Sequence, residues 1–139
     1  MTRFGIGLVL LLVLSGCSAP YVQSPLLPPE RQMLSRMDET GFVMRDGAVL
    51  PYLHWMPHDA EPWAVIVALH GINDSRAAFR LAGPWWAERG IATYAYDQRG
   101  FGDAPGRGLW PGDLMADDLE QVVALVRARH PDALIAVAG

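Results

Sequence analysis

Two uninterrupted apolar runs, Ala64-Val65-Ile66-Val67-Ala68-Leu69 and Ile91-Ala92-Thr93-Tyr94-Ala95-Tyr96, constrain this chain more than any other feature. Such runs, bounded by turn formers, fit strands buried on both faces, the kind found in parallel sheets. The first ends on His70-Gly71-Ile72-Asn73-Asp74-Ser75 and the second on Asp97-Gln98-Arg99-Gly100. A helical segment lies between them, and strand, helix, strand predicts parallel neighbours joined by a right-handed crossover. Ligands of open parallel sheets sit beyond the carboxyl ends of the strands, where the polar loops 70–75 and 97–102 emerge. The place of any chemistry is therefore legible before its kind.

The remaining pattern surrounds this unit. Thr40–Arg45 and Ala48–Met56 flank Asp46-Gly47, a strong signal for a tight hairpin. The second hairpin strand alternates, with Leu50, Tyr52, His54 and Met56 on one face and Val49, Leu53 and Trp55 on the other, and Pro51 confines it to an edge or a bulge. Asp74 or Ser75 can cap a short helix through about Leu81. Gly83-Pro84 breaks it, Pro84 opens a second helix over Trp85–Arg89, and Gly90 closes that one. Trp85 and Trp86 are expected to pack against the sheet. Over Asp113–Arg129, Met115, Leu119, Val122 and Val126 form one stripe at helical spacing. Acids Asp113, Asp117, Asp118 and Glu120 come early and Arg127 and Arg129 late, which suits the helix dipole, and these charges are expected on a solvated face. Ala133–Ala138 is a third strand expected to be buried, and Gly139 follows it.

The amino terminus has the form of an export signal. Arg3 supplies positive charge, and Phe4–Leu14 is an apolar stretch of eleven residues. At about 1.5 Å per residue it spans roughly half a bilayer core, so it suits a secretory signal rather than a membrane span. Leu14-Ser15-Gly16-Cys17 resembles the lipobox of bacterial lipoproteins. That resemblance implies cleavage after position 16, acylation of Cys17, and a mature chain anchored in the cell envelope. Ser18 stands where inner-membrane retention signals carry Asp, so the implied location is the outer membrane, on its periplasmic face. Cys17 is the only cysteine, so no intramolecular disulfide framework is expected. Four prolines between Ser18 and Glu30 suggest that residues 17–39 form an extended tether.

Eleven arginines, no lysine and fifteen carboxylates, with no basic cluster, exclude a nucleic-acid partner. His54, His58 and Asp59 have no further ligand at suitable spacing, so no metal site is expected. Gly100-Phe101-Gly102 begins a dinucleotide fingerprint, but Pro105 takes the place of its third glycine. No cofactor is expected.

In order, the chain offers a hairpin, His70-Gly71 at a strand end, Asp97-Gln98-Arg99-Gly100-Phe101-Gly102 at the next, Gly108-Leu109-Trp110-Pro111-Gly112 leading into a helix, and a strand ending on Gly139. This resembles the amino-terminal part of an α/β-hydrolase, in particular the monoacylglycerol lipase and lysophospholipase group of serine hydrolases. The implied fold is an incomplete α/β-hydrolase over residues 40–139: a mostly parallel sheet with an amino-terminal antiparallel hairpin. Phe101 and Ala104 depart from the His and Ser common in that group.

By this resemblance the backbone N–H of Ile72 is an oxyanion-hole donor, with His70 and Gly71 supporting its loop. Asp97, Arg99, Gly100 and Gly102 are expected to hold the second loop in shape. Gly139 matches the first glycine of the G-x-S-x-G turn, so the nucleophile is expected just after it, and the acid and His later still. The expected parent is therefore a serine hydrolase of small acyl esters, with the present chain an inactive piece of it. The alternative is a non-catalytic envelope lipoprotein that binds small acyl ligands or a protein partner.

Overall fold

A computed structural model describes residues 21–139. The export signal and Cys17 lie outside the described residues. Among the described residues seven strands and two α-helices follow one another. Strands β1 (Arg36–Asp38), β2 (Gly41–Val43) and β3 (Val49–Leu50) form a small antiparallel sheet in that order. Strands β4 (Tyr52–Trp55), β5 (Ala64–Leu69), β6 (Ile91–Tyr96) and β7 (Leu134–Ala138) form the main sheet, ordered β4-β6-β5-β7. Within it β5 is parallel to both β6 and β7, and β4 runs antiparallel along β6.

The predicted second hairpin strand divides at Pro51. A residue without an N–H cannot continue the ladder, so Val49–Leu50 stays with the small sheet and Tyr52–Trp55 becomes an edge of the large one. Phe42 then joins the two sheets, its ring 4.8 Å from Tyr52 and edge-on to Tyr96 at 5.9 Å. Around it lies the core, with Met44, Leu50, Val65, Val67, Val122 and Val126 all fully buried.

The short helix expected before Leu81 is a 3-10 turn, Arg76–Phe79, capped by the Ser75 side chain, which accepts from the Ala77 amide. Helix α1 (Ala82–Ala87) begins before Pro84. Trp85 does not pack on the sheet: it is 53% exposed, with the Arg89 guanidinium stacked 3.7 Å above its ring. The sheet meets this helix through Trp55, whose ring lies where a Cβ on Gly83 would be. Helix α2 (Leu114–Arg129) runs as expected, except that Asp118 is not solvated but buried beside Val122 and Val126.

Strand β7 pairs with β5 in register from Ala64↔Leu134 to Ala68↔Ala138. Its side chains are not buried as expected. It is an edge strand among the described residues, with Leu134 65% exposed.

Residues 21–34, which the sequence suggests are part of a tether, lie along the body instead. Trp110 N donates to Tyr21 O and Gln23 N to Trp110 O, the Leu26 amide donates to Asp46, and Met33 N donates to Arg45 O.

Candidate active site

Both polar loops leave the carboxyl ends of β5 and β6 on the same side of the sheet, and His70 ties them together. Its Nε2 accepts from the Gln98 amide at 3.0 Å, while Gln98 Nε2 donates to the His70 carbonyl at 2.6 Å. Because Nε2 accepts, Nδ1 carries the proton and donates to Gly71 O at 2.8 Å, which defines a neutral tautomer. The ring is buried and edge-on to Phe101. With both nitrogens occupied, His70 is a structural link and has no nitrogen free to serve as a base.

The first loop turns without using glycine's freedom at Gly71, where a Cβ would meet open space. The residue in the left-handed region is Asn73, at φ 64°. Ile72 is 77% exposed, and no described residue accepts from its amide. An unpaired N–H on a polar groove is the kind of donor that an oxyanion requires.

The second loop is held from beneath. Buried Asp97 accepts from the Arg76 amide at 2.7 Å, the Asp103 amide at 2.8 Å and the Arg76 guanidinium. Gly102, at φ 53°, passes so close to this carboxylate that an added Cβ would fall 2.2 Å from Oδ2. Arg99 lies deeper, 1% exposed, and forms two bidentate pairs. Its Nε and Nη2 donate to Asp118 at 2.8 and 2.7 Å, and its Nη1 and Nη2 to Asp46 at 2.7 and 3.1 Å. Loop, hairpin turn and helix α2 thus meet on one guanidinium, whose planar fork suits two carboxylates.

The two carboxylates differ. Burial pushes the Asp46 carboxyl up, but Arg99 and the amides of Leu26 and Ala48 outweigh it and hold it below the ordinary range. Burial also pushes Asp118 up, and there it prevails over Arg99, with the neighbouring charges of Asp46 and Asp117 adding to it. The Arg99 guanidinium is disfavoured by burial but raised overall by its bonds to Asp118 and Asp46, so it stays charged.

Between the loops lies an open groove of about 910 Å³ whose walls include Ile72, Arg76, Phe101, Arg107 and Trp110. Ser75 also lines it, but its Oγ caps the 3-10 turn and no described base reaches it. Of the residues singled out in the sequence, the structure brings His70, Gly71, Ile72, Asp97, Arg99, Gly100 and Gly102 to this one end of the sheet. Gly100 N donates to Pro105 O at 2.8 Å within the second loop. The His54 ring packs among aromatic side chains, 5.6 Å from Tyr52 and 5.9 Å from Tyr94. Among the described residues no three His, Cys, Asp or Glu side chains gather.

Sequence reasoning missed Asp46, Gln98, Arg76 and Asp118 as parts of this framework. Asp118 had a signal, since it stands four residues before Val122 and eight before Val126 and so lies on the apolar stripe. Asp46 had none beyond the turn it occupies.

Comparison with known proteins places this geometry. The family profile described as serine aminopeptidase, S33 matches residues 60–139. A monoacylglycerol lipase of Mycolicibacterium smegmatis is 27% identical over 99 residues, which is 70% of this chain and 35% of that protein. Two solved structures share the fold. One is a lidless α/β serine hydrolase from Xanthomonas campestris (TM-score 0.54, 22% identity, 81% of this chain and 52% of that one). The other is a soluble variant of monoglyceride lipase from Saccharomyces cerevisiae with a substrate analogue (TM-score 0.57, 23% identity, 86% of this chain and 38% of that one). The chain thus spans about a third to a half of the length of these relatives.

Proposed function

Because the chain belongs to the serine aminopeptidase S33 family of α/β-hydrolases, we propose that residues 40–139 are the oxyanion-side part of a serine ester hydrolase acting on small acyl esters, of the monoacylglycerol or lysophospholipid type. The family takes its name from a peptidase and the curated relative from a lipase. Both reactions pass an acyl carbonyl through a tetrahedral oxyanion, so the shared requirement is a pre-aimed N–H beside a nucleophile.

One observation carries the reading. Ala138 is level with Ala68 across a parallel pair, so Gly139 stands beside Leu69, where a Cβ would come 3.0 Å from the Leu69 side chain. Strands in a sheet lie about 4.8 Å apart, and a residue two positions beyond Gly139 would therefore rise next to Gly71 and the free Ile72 amide. That is the relation a nucleophile must have to its oxyanion donor. Gly139 also suits the close strand approach that a sharp strand-to-helix turn begins with.

Residues 1–139 carry no hydroxyl at that place, and this stretch alone is expected to lack turnover. The activity belongs to a longer protein, anchored through acylated Cys17 in the envelope, at the periplasmic face of the outer membrane. The gene sequence past the Gly139 codon tests the mechanism. Ser at the second following codon is expected, Asp there would replace the serine mechanism with a carboxylate nucleophile, and any other residue defeats the reading. A fluorophosphonate probe should label the longer protein and leave the 139-residue chain unlabelled.

A further inference from the structure

We propose that the mouth of the groove lies against a lipid bilayer, held there by the segment 21–34, so that acyl substrate enters from the membrane rather than from the aqueous phase. The proposal rests on the lipid-anchor reading of Cys17 and adds to it an orientation.

The segment is a strap. Its far end is fixed at the hairpin turn, by the Met33 amide on Arg45 O and by Leu27, which packs 3.3 Å from where a Cβ on Gly47 would be. Its near end is fixed on the groove loop, by the two backbone bonds between Tyr21–Gln23 and Trp110 and by the Gln23 side chain, 6% exposed, which fills the space over Gly106. Trp110 is itself a wall of the groove. The strap therefore delivers the start of the described chain to the rim of the candidate site.

Reach decides what this means. From Cys17 to Tyr21 is four residue steps, and a fully extended chain covers roughly 3.5 Å per step, so the anchor lies within about 14 Å of Tyr21. A body of about 100 residues has a radius of gyration near 13 Å and is roughly 30 Å across. A leash this short cannot carry the anchor to the far end of the sheet. Were the strap free as far as Met33, the leash would be about four times longer and any orientation would be open.

The rim has the surface such an arrangement requires. Tyr21 is 77% exposed and Val22 and Trp110 about half exposed, and the exposed Ile72 lines the same groove as Trp110. Exposed aromatic and aliphatic side chains beside an acyl anchor suit the bilayer interface, where Tyr and Trp place an apolar ring and a polar tip together.

Amide hydrogen exchange tests the orientation. The acylated mature chain in phosphatidylethanolamine and phosphatidylglycerol vesicles is compared with the Cys17→Ser chain in solution. Exchange at residues 72–73 and 107–108 should slow several-fold on the vesicles, while residues 59–61, at the opposite end of the sheet, should not change. Gln23→Pro removes the N–H that holds the strap to Trp110, and in the acylated chain it should abolish this selectivity. Equal rates in both preparations, or slowing at residues 59–61 alone, would overturn the orientation. The mass of the cell-made protein separates the two readings: an unacylated Cys17 defeats the anchor and the orientation together, whereas an acylated chain without selective slowing defeats the orientation only.

Discussion

The two loops at the carboxyl end of the sheet are built on opposite plans. Loop 97–102 is over-determined: a buried carboxylate and a buried guanidinium fix it, and Gly100 and Gly102 hold left-handed conformations. Loop 70–75 is attached at its base by His70 and is otherwise open, with Ile72 exposed and space around Gly71. The difference assigns their work. A loop whose charged side chains are tied up in buried ion pairs is built to position, whereas a loop with an unspent N–H and few side-chain ties on a groove can meet a substrate. The rigid loop is the scaffold on which the open one is aimed.

Removing the scaffold's centre should have the largest effect. Arg99→Leu leaves Asp46 and Asp118 buried without their counter-charge, and breaking such a pair costs about 3–5 kcal/mol. That is a large share of a small domain's stability, so denaturant melts should show a much lower midpoint or no cooperative transition. Gly102→Ala comes next. It combines a positive φ with a Cβ driven into Asp97, and a loss of about 2 kcal/mol is expected in the same melts. A variant as stable as the parent would show that the second loop is less constrained than its contacts imply.

The two carboxylates on Arg99 allow a finer test by pH. Asp46 has a folded pKa below its unfolded one, so its contribution is present above the unfolded value and is lost as pH falls through the folded value. Asp118 is raised, so the folded state holds its proton more readily than the unfolded state does. Its ionisation therefore subtracts stability as pH rises from the unfolded value through the folded one. The contributions partly cancel, and the net acid dependence from this cluster should be shallow. Carbon-13 shifts of the side-chain carboxyls should show Asp118 titrating above, and Asp46 below, an ordinary aspartate. The reverse order would mean that Arg99 favours Asp118.

Much of this plan was legible in the residues. The apolar runs at 64–69 and 91–96 dictate two buried strands, and the polar segments after them dictate where the groove lies. The buried ion cluster was not legible, because a carboxylate in an Asp-Gly turn and one early in a helix each have a sufficient local explanation. Only the fold brings Asp46 and Asp118, 72 positions apart, to one arginine. The strap was hidden for the same reason. Prolines without an apolar period suggest a solvated tether, yet single residues such as Leu27 and Gln23 find partners that are distant in sequence. The exposure of β7 could not be read from composition either, since an apolar strand looks the same whether or not a neighbour covers it.

The smallest expected effect sharpens the contrast between the loops most. Sequence reasoning has Gly71 support the first loop, which would make alanine there costly. Its backbone, however, is outside the left-handed region, and an added methyl would touch nothing. Gly71→Ala should then leave stability within about 0.5 kcal/mol of the parent, with any gain coming from a less flexible unfolded chain. The same glycine-to-alanine change, read by the same melt at positions 71 and 102, measures how much of each loop's conformation is imposed from outside. If position 71 also proves costly, the open loop has a constraint that its contacts do not reveal. In that case Ile72 would be held in place by its own loop, and the rigid neighbour would not be needed to aim it.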